Sequence, residues 1–385
     1  MIDAASAFLN LDLAALQRRR GNKWSKYPLD VLPAWVADMD FPLAPCIEAA
    51  LHDAIRAGDV GYPDSGRPVA EAFAIRAHRL WNWTVSPDRV YLMPDVVQSV
   101  ELLIERFSQP GDGILIMTPI YPPFLKVTTG MARRIVENPL LADGSLDYEG
   151  LQKIFADAPP RLVLLCSPHN PTGHVFRRAE LACIVDLAKA AGALIISDEI
   201  HAELTYPGNS HIPIASLSAQ AQSITITVTS ASKPFNIAGL RCAQIISGTR
   251  EQHAIVTAHT AMGRDPVGIL GSVATLAAWT PAGDEWLGAC RLQLAANMRR
   301  VAAWAAVHNI GFRVPEATYL AWLDFTSVGL GRNPAQWLLH HAHVAVSPGV
   351  DFGGLGDGHC RLNVATSPHI LDLVLGRMSD ALAER

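Results

Sequence analysis

Short apolar runs alternate with stretches of amphipathic helical spacing along most of the chain. That alternation predicts an α/β fold rather than a helical bundle or a β-sandwich. The runs at Arg89–Met93, Gly113–Met117, Arg161–Cys166, Ala193–Ser197, Ser223–Thr229 and Ala243–Ser247 are rich in Val, Ile or Leu, as expected of parallel strands buried on both faces. Several pass at once into polar or Gly/Pro turns: Pro94-Asp95, Thr118 to Tyr121, Ser167 to Gly173, Asp198-Glu199, and Ser230 to Lys233. Ligands of open α/β sheets sit beyond the carboxyl ends of strands, so these five turns are expected to converge on one site. After about residue 290 a long helical stretch through Asn297 and Trp304 is followed by strands at Tyr319–Phe325, Val344–Ser347 and Cys360–Ala365 and a closing helix. The pattern predicts a small α+β domain over residues 286–385, a large domain over 46–285, and an N-terminal segment, 1–45, that joins the small one.

At 385 residues the chain is long enough for two cores. An apolar share of 50% with 17% charged residues fits a globular enzyme, and no run of apolar residues is long enough to span a membrane. The net charge of −5 is dispersed, and Arg18-Arg19-Arg20 is too short a basic cluster for a nucleic-acid surface. The opening residues carry no secretory pattern, so the expected location is the cytoplasm. Six scattered cysteines without a C-x-x-C pair are expected to be reduced and buried. His340-His341-Ala342-His343 does not have the spacing that aims helical side chains at one ion, so no metal site is expected.

The chemistry centres on Lys233, in Ser230-Ala231-Ser232-Lys233 after a strand. A lysine forms an imine with an aldehyde only when its amine is partly neutral, and burial beside cations lowers its pKa in that direction. Ser230, Ser232 and Arg241 are placed to donate to one phosphate. Asp198, at the end of another strand, reads either as a helix N-cap or as the carboxylate that keeps a pyridine nitrogen protonated. Asn170, in the Ser167–Gly173 turn, can give its amide to a phenolic oxygen, or serve only an Asn-Pro turn. The helix opening at Val96 and Val97 offers free backbone N–H groups to an anion, and the Tyr121 ring can lie against a planar cofactor.

In this order and spacing the chain resembles the fold-type I pyridoxal 5'-phosphate (PLP) enzymes of the aminotransferase class I/II superfamily, over nearly its whole length. The resemblance implies a large domain with a mostly parallel seven-stranded sheet, PLP held on Lys233, and Arg361 gripping the substrate α-carboxylate. Trp35 to Phe41, Ser197-Asp198-Glu199-Ile200-His201 and Thr318 to Asp324 are most similar to the MalY/PatB-like cystathionine β-lyase branch. That branch implies a cofactor-binding role for His201, a homodimer in which Tyr62 reaches the neighbouring subunit's cofactor phosphate, and β-elimination from an S-substituted L-cysteine. Arg241 is equally at home in aminotransferases, which leaves transamination of an L-amino acid with a 2-oxo acid as the competing reaction.

Overall fold

The computed structural model describes residues 4–63, 65–258 and 267–385. Seven strands form the main sheet: β1 (Val90–Met93), β2 (Gly113–Ile116), β3 (Arg134–Glu137), β4 (Leu162–Cys166), β5 (Leu194–Asp198), β6 (Thr225–Ser230) and β7 (Ala243–Ser247). Their spatial order is β1-β7-β6-β5-β4-β2-β3. Side chains alternate across a strand, and the sequence obeys that period. Ile114, Ile116, Leu162 and Leu164 pack on one face beneath α1 (Val96–Phe107), whereas Leu115, Val163 and Leu165 pack on the other. Both faces are therefore covered, as a parallel sheet requires.

One of the expected strands departs from the parallel pattern, and one strand of the sheet was not expected. β7 runs antiparallel to both its neighbours, β6 and β1. Between β6 and β7 lies a connection with only a 3₁₀ turn at Ala238–Leu240, too little for the helical crossover that a parallel return needs. The edge strand β3, Arg-Ile-Val-Glu, has charged ends that face water and so lacks the apolar run that marks the other six.

The C-terminal part builds a second, antiparallel sheet from β8 (Gly311–Phe312), β9 (Leu320–Asp324), β10 (Ser347–Pro348) and β11 (His359–Asn363), ordered β10-β11-β9-β8. Helix α2 (Pro281–Val307) and the closing helix Pro368–Ala383 bury Leu294, Met298, Val301, Val374 and Met378 in the same core as Leu320, Leu323 and Leu362. The N-terminal residues enter this core. Leu32–Pro33 pairs in parallel with Val344–Ala345, and the Phe8 ring meets Trp286 edge-on at 5.5 Å. Phe235 and Ile237, just beyond Lys233, belong to the same core, which ties the lysine loop to the C-terminal part.

Candidate active site

The turns beyond β1, β2, β4, β5 and β6 do converge. They surround a cavity of about 290 Å³ lined by Val96, Val97, Tyr121, Asn170, Asp198, His201, Ser230, Ser232, Lys233 and Arg241. A larger cleft of about 560 Å³ lies nearby, bounded by Pro119, Thr172, Arg313, Trp322 and His359, and holds none of the expected site residues.

Lys233 Nζ donates to the Ala37 carbonyl at 2.7 Å. Its pKa lies below the usual lysine value: burial is the main cause, the Arg361 cation acts in the same direction, and Asp38 and Asp198 oppose it. Asp198 closes β5. One carboxylate oxygen accepts from Ile200 N at 3.0 Å, and the other lies 3.8 Å from Cys166 Sγ. Burial pushes this carboxyl up to about 7, with a smaller push from Glu199 and opposing pulls from the Ile200 N–H, the Cys166 thiol and Lys233. Asp198 thus makes the local turn contact of a capping residue and also lines the cavity.

His201 is buried, with its ring edge toward Tyr319 at 6.2 Å, and its Nδ1 has no hydrogen-bond partner among the described residues. Burial, reinforced by the cations of Lys233 and Arg361, holds its pKa down to about 3, so the ring is neutral at physiological pH. Tyr121 caps the helix Pro122–Gly130 and meets Phe124 edge-on at 5.7 Å.

Arg361, on β11, is not among the residues that line the cavity. It donates to Asn170 Oδ1 at 2.9 Å, to Ser347 Oγ at 3.1 Å and to the Trp35 carbonyl at 3.2 Å, and its guanidinium lies 5.0 Å from the Phe352 ring centre. Burial lowers its pKa to about 10, which leaves it charged. Because Arg361 engages the Asn170 amide oxygen, the Asn170 NH₂ is the group left to face the cavity.

Two expected phosphate donors are directed at protein acceptors. Ser230 Oγ donates to the Cys242 carbonyl at 2.7 Å and accepts from Ser232 N at 3.1 Å. Arg241 forms an ion pair with Asp95, the N-cap of α1. Tyr62 is 90% exposed and does not line the cavity of its own chain.

The sequence marked residues 35–41 only as a segment of family resemblance and gave them no place in the site, yet Ala37 of this strap lines the cavity. Asn236, three residues after Lys233, bonds through its side chain to the Met39 N–H and to the Met39 and Phe41 carbonyls. Asn363, two residues after Arg361, donates to the Val36 and Asp38 carbonyls, each at 2.7 Å. Tyr319 OH donates to the same Ala37 carbonyl as Lys233, at 2.9 Å. A buried pair, Lys23 with Asp40 at 2.9 Å, anchors the strap's end. The signal was present in the two asparagines, each close to a recognised charged residue, but a backbone partner leaves no trace in side-chain identity.

The chain belongs to the aminotransferase class I and II family, whose model matches residues 41–377. It is 35% identical to a cystathionine beta-lyase of Corynebacterium glutamicum, covering 96% of this chain and 99% of that one. It is 34% identical to the cystathionine beta-lyase PatB of Bacillus subtilis, covering 92% and 93%. Among solved structures, cystalysin from Treponema denticola, which contains a pyridoxal 5'-phosphate cofactor, superposes with a TM-score of 0.91 at 29% identity, covering 98% of each chain. Among the described residues no helix is long and apolar enough to cross a membrane, and no group of three or more His, Cys, Asp or Glu is arranged to hold a metal ion.

Proposed function

We propose that this chain is a PLP-dependent carbon–sulfur β-lyase that cleaves L-cystathionine or another S-substituted L-cysteine to a thiol, pyruvate and ammonia. The observation that carries the reading is a lysine of lowered pKa and a buried aspartate facing one cavity, with an arginine seated behind it.

The donor set fits PLP. Lys233 would be the amine that holds the aldehyde carbon, and Asp198 would be the counter-charge for the pyridine nitrogen. The Asn170 amide would meet the phenolic oxygen and Tyr121 would lie against the ring, with His201 Nδ1, unpartnered among the described residues, in the same buried wall. The Val96 and Val97 N–H groups, Ser230, Ser232 and Arg241 line one end of the cavity and would hold the phosphate there.

When bound, PLP supplies an electron sink for charge developing at the substrate Cα. Asp198 assists by becoming fully ionised beside a cation, which reverses the effect of burial on its pKa. Arg361 binds the substrate α-carboxylate and fixes the Cα–H direction. Once released by the substrate amine, Lys233 Nζ takes the Cα proton, and the Ala37 carbonyl is a ready acceptor for the amine while it waits. The thiolate then leaves Cβ. Water completes the conversion of the remaining three-carbon fragment to pyruvate and ammonia.

Around this site we propose a large domain at 46–285 and a small one at 286–385 joined by residues 1–45, and a cytoplasmic homodimer. The exposure of Tyr62, outside its own cavity, supports its service in a partner's site. The six free cysteines suit a reducing compartment.

The test is product analysis. Incubation with L-cystathionine should yield stoichiometric pyruvate and homocysteine. Transfer of an amino group to a 2-oxo acid without thiol release would instead make the chain an aminotransferase.

A further inference from the structure

The phosphate end of the cavity contains an acidic residue. Asp95 lines the cavity beside Ser230, Ser232 and Arg241. Its two carboxylate oxygens have different partners: Oδ1 accepts from Gln98 N at 2.8 Å and caps α1, while Oδ2 pairs with Arg241. A carboxylate at a helix N-terminus is stabilising for the helix. Here it also lines the end of the cavity to which the proposed function assigns the phosphate, and it engages the guanidinium assigned to that phosphate. Ser230 has likewise turned its proton to the Cys242 carbonyl. Arg241 holds this position with a backbone φ of +53°, in the left-handed region that a non-glycine residue enters only when its surroundings fix it.

We propose that Asp95 competes with the cofactor phosphate for Arg241, and that the Asp95–Arg241 pair sets how tightly this chain retains PLP. The inference rests on PLP being the cofactor and is independent of the reaction catalysed. Arg241 exchanges one anionic partner for another as the phosphate enters, and the carboxylate left behind repels the phosphate across the cradle. Removing the charge while keeping the cap therefore tightens binding, and only for ligands that carry the phosphate.

The experiment is an absorbance titration of the cofactor-stripped, full-length chain with PLP and, separately, with pyridoxal, which lacks the phosphate. Asp95→Asn preserves a side-chain cap, and Asp95→Ser provides the same comparison if the first variant folds poorly. The expected result is PLP binding roughly tenfold tighter than wild type, with pyridoxal binding unchanged. PLP affinity that is unchanged or weaker in the variant overturns the proposal, as does equal tightening for both ligands. Failure of the wild-type chain to bind PLP at all would refute the cofactor reading instead, and the two failures are distinguishable.

Discussion

At the scale of single residues, burial sets the chemistry of the cavity. A lysine and an aspartate in water would both be charged at neutral pH; here burial lowers one pKa and raises the other. Lys233→Ala should reduce cystathionine turnover by more than about 10³-fold, and borohydride should no longer fix the cofactor to the chain. Retained turnover in that variant would remove Lys233 from the mechanism. Asp198 gives a pH prediction for the cofactor-free chain. Its carboxyl is held near 7 in the fold against 3.8 for the unperturbed group, so between those values the folded state binds a proton that the unfolded chain has lost. Stability from this group is therefore intact below about pH 4, declines as pH rises, and is lowest above about 7, by up to about 4 kcal/mol. Asp198→Asn carries no such penalty, so its melting temperature should gain on wild type from pH 5 to pH 8. A difference that stays flat across that range would mean that burial does not govern this group.

At the scale of elements, the strands whose carboxyl ends carry the site were legible because burial on both faces writes itself as an apolar run. The edge strand β3 and the antiparallel return of β7 were not, since the first keeps charged ends and the direction of the second depends on what fills the connection before it. The role of the strap at 35–41 in the site, as distinct from its family resemblance, escaped for a different reason: it is held through its own backbone groups, by Asn236 and Asn363. The Asn170 turn shows how closely such elements are fitted. Gly173 has φ +68°, and a Cβ there would lie 2.2 Å from Pro315 Cβ and 2.8 Å from the Ala317 carbonyl oxygen. The Glu316 and Ala317 N–H groups also donate to the Gly173 carbonyl, so the turn cannot shift away alone. Gly173→Ala should destabilise the protein by about 2–4 kcal/mol in denaturant titration. It should also raise KM, because Arg361 leans on Asn170 in the same turn.

At the scale of the whole molecule, the proposed site is divided between two chains, and complementation tests that division. In a homodimer where Tyr62 serves the opposite cavity, a Lys233→Ala chain still offers its tyrosine and a Tyr62→Ala chain still offers its lysine. A mixed dimer then has one cavity with both groups intact and one with neither. Random reassortment makes half the dimers mixed, so about a quarter of all cavities should regain wild-type composition. Unfolding and refolding the two variants together should restore pyruvate production toward about that fraction, well above the sum of the two refolded separately. If Tyr62 served its own cavity, each mixed dimer would hold one site lacking the lysine and one lacking the tyrosine, and co-refolding would add nothing. Because restoration requires Tyr62 to cross the interface while Lys233 stays in its own cavity, this measurement reads oligomeric state and site architecture together.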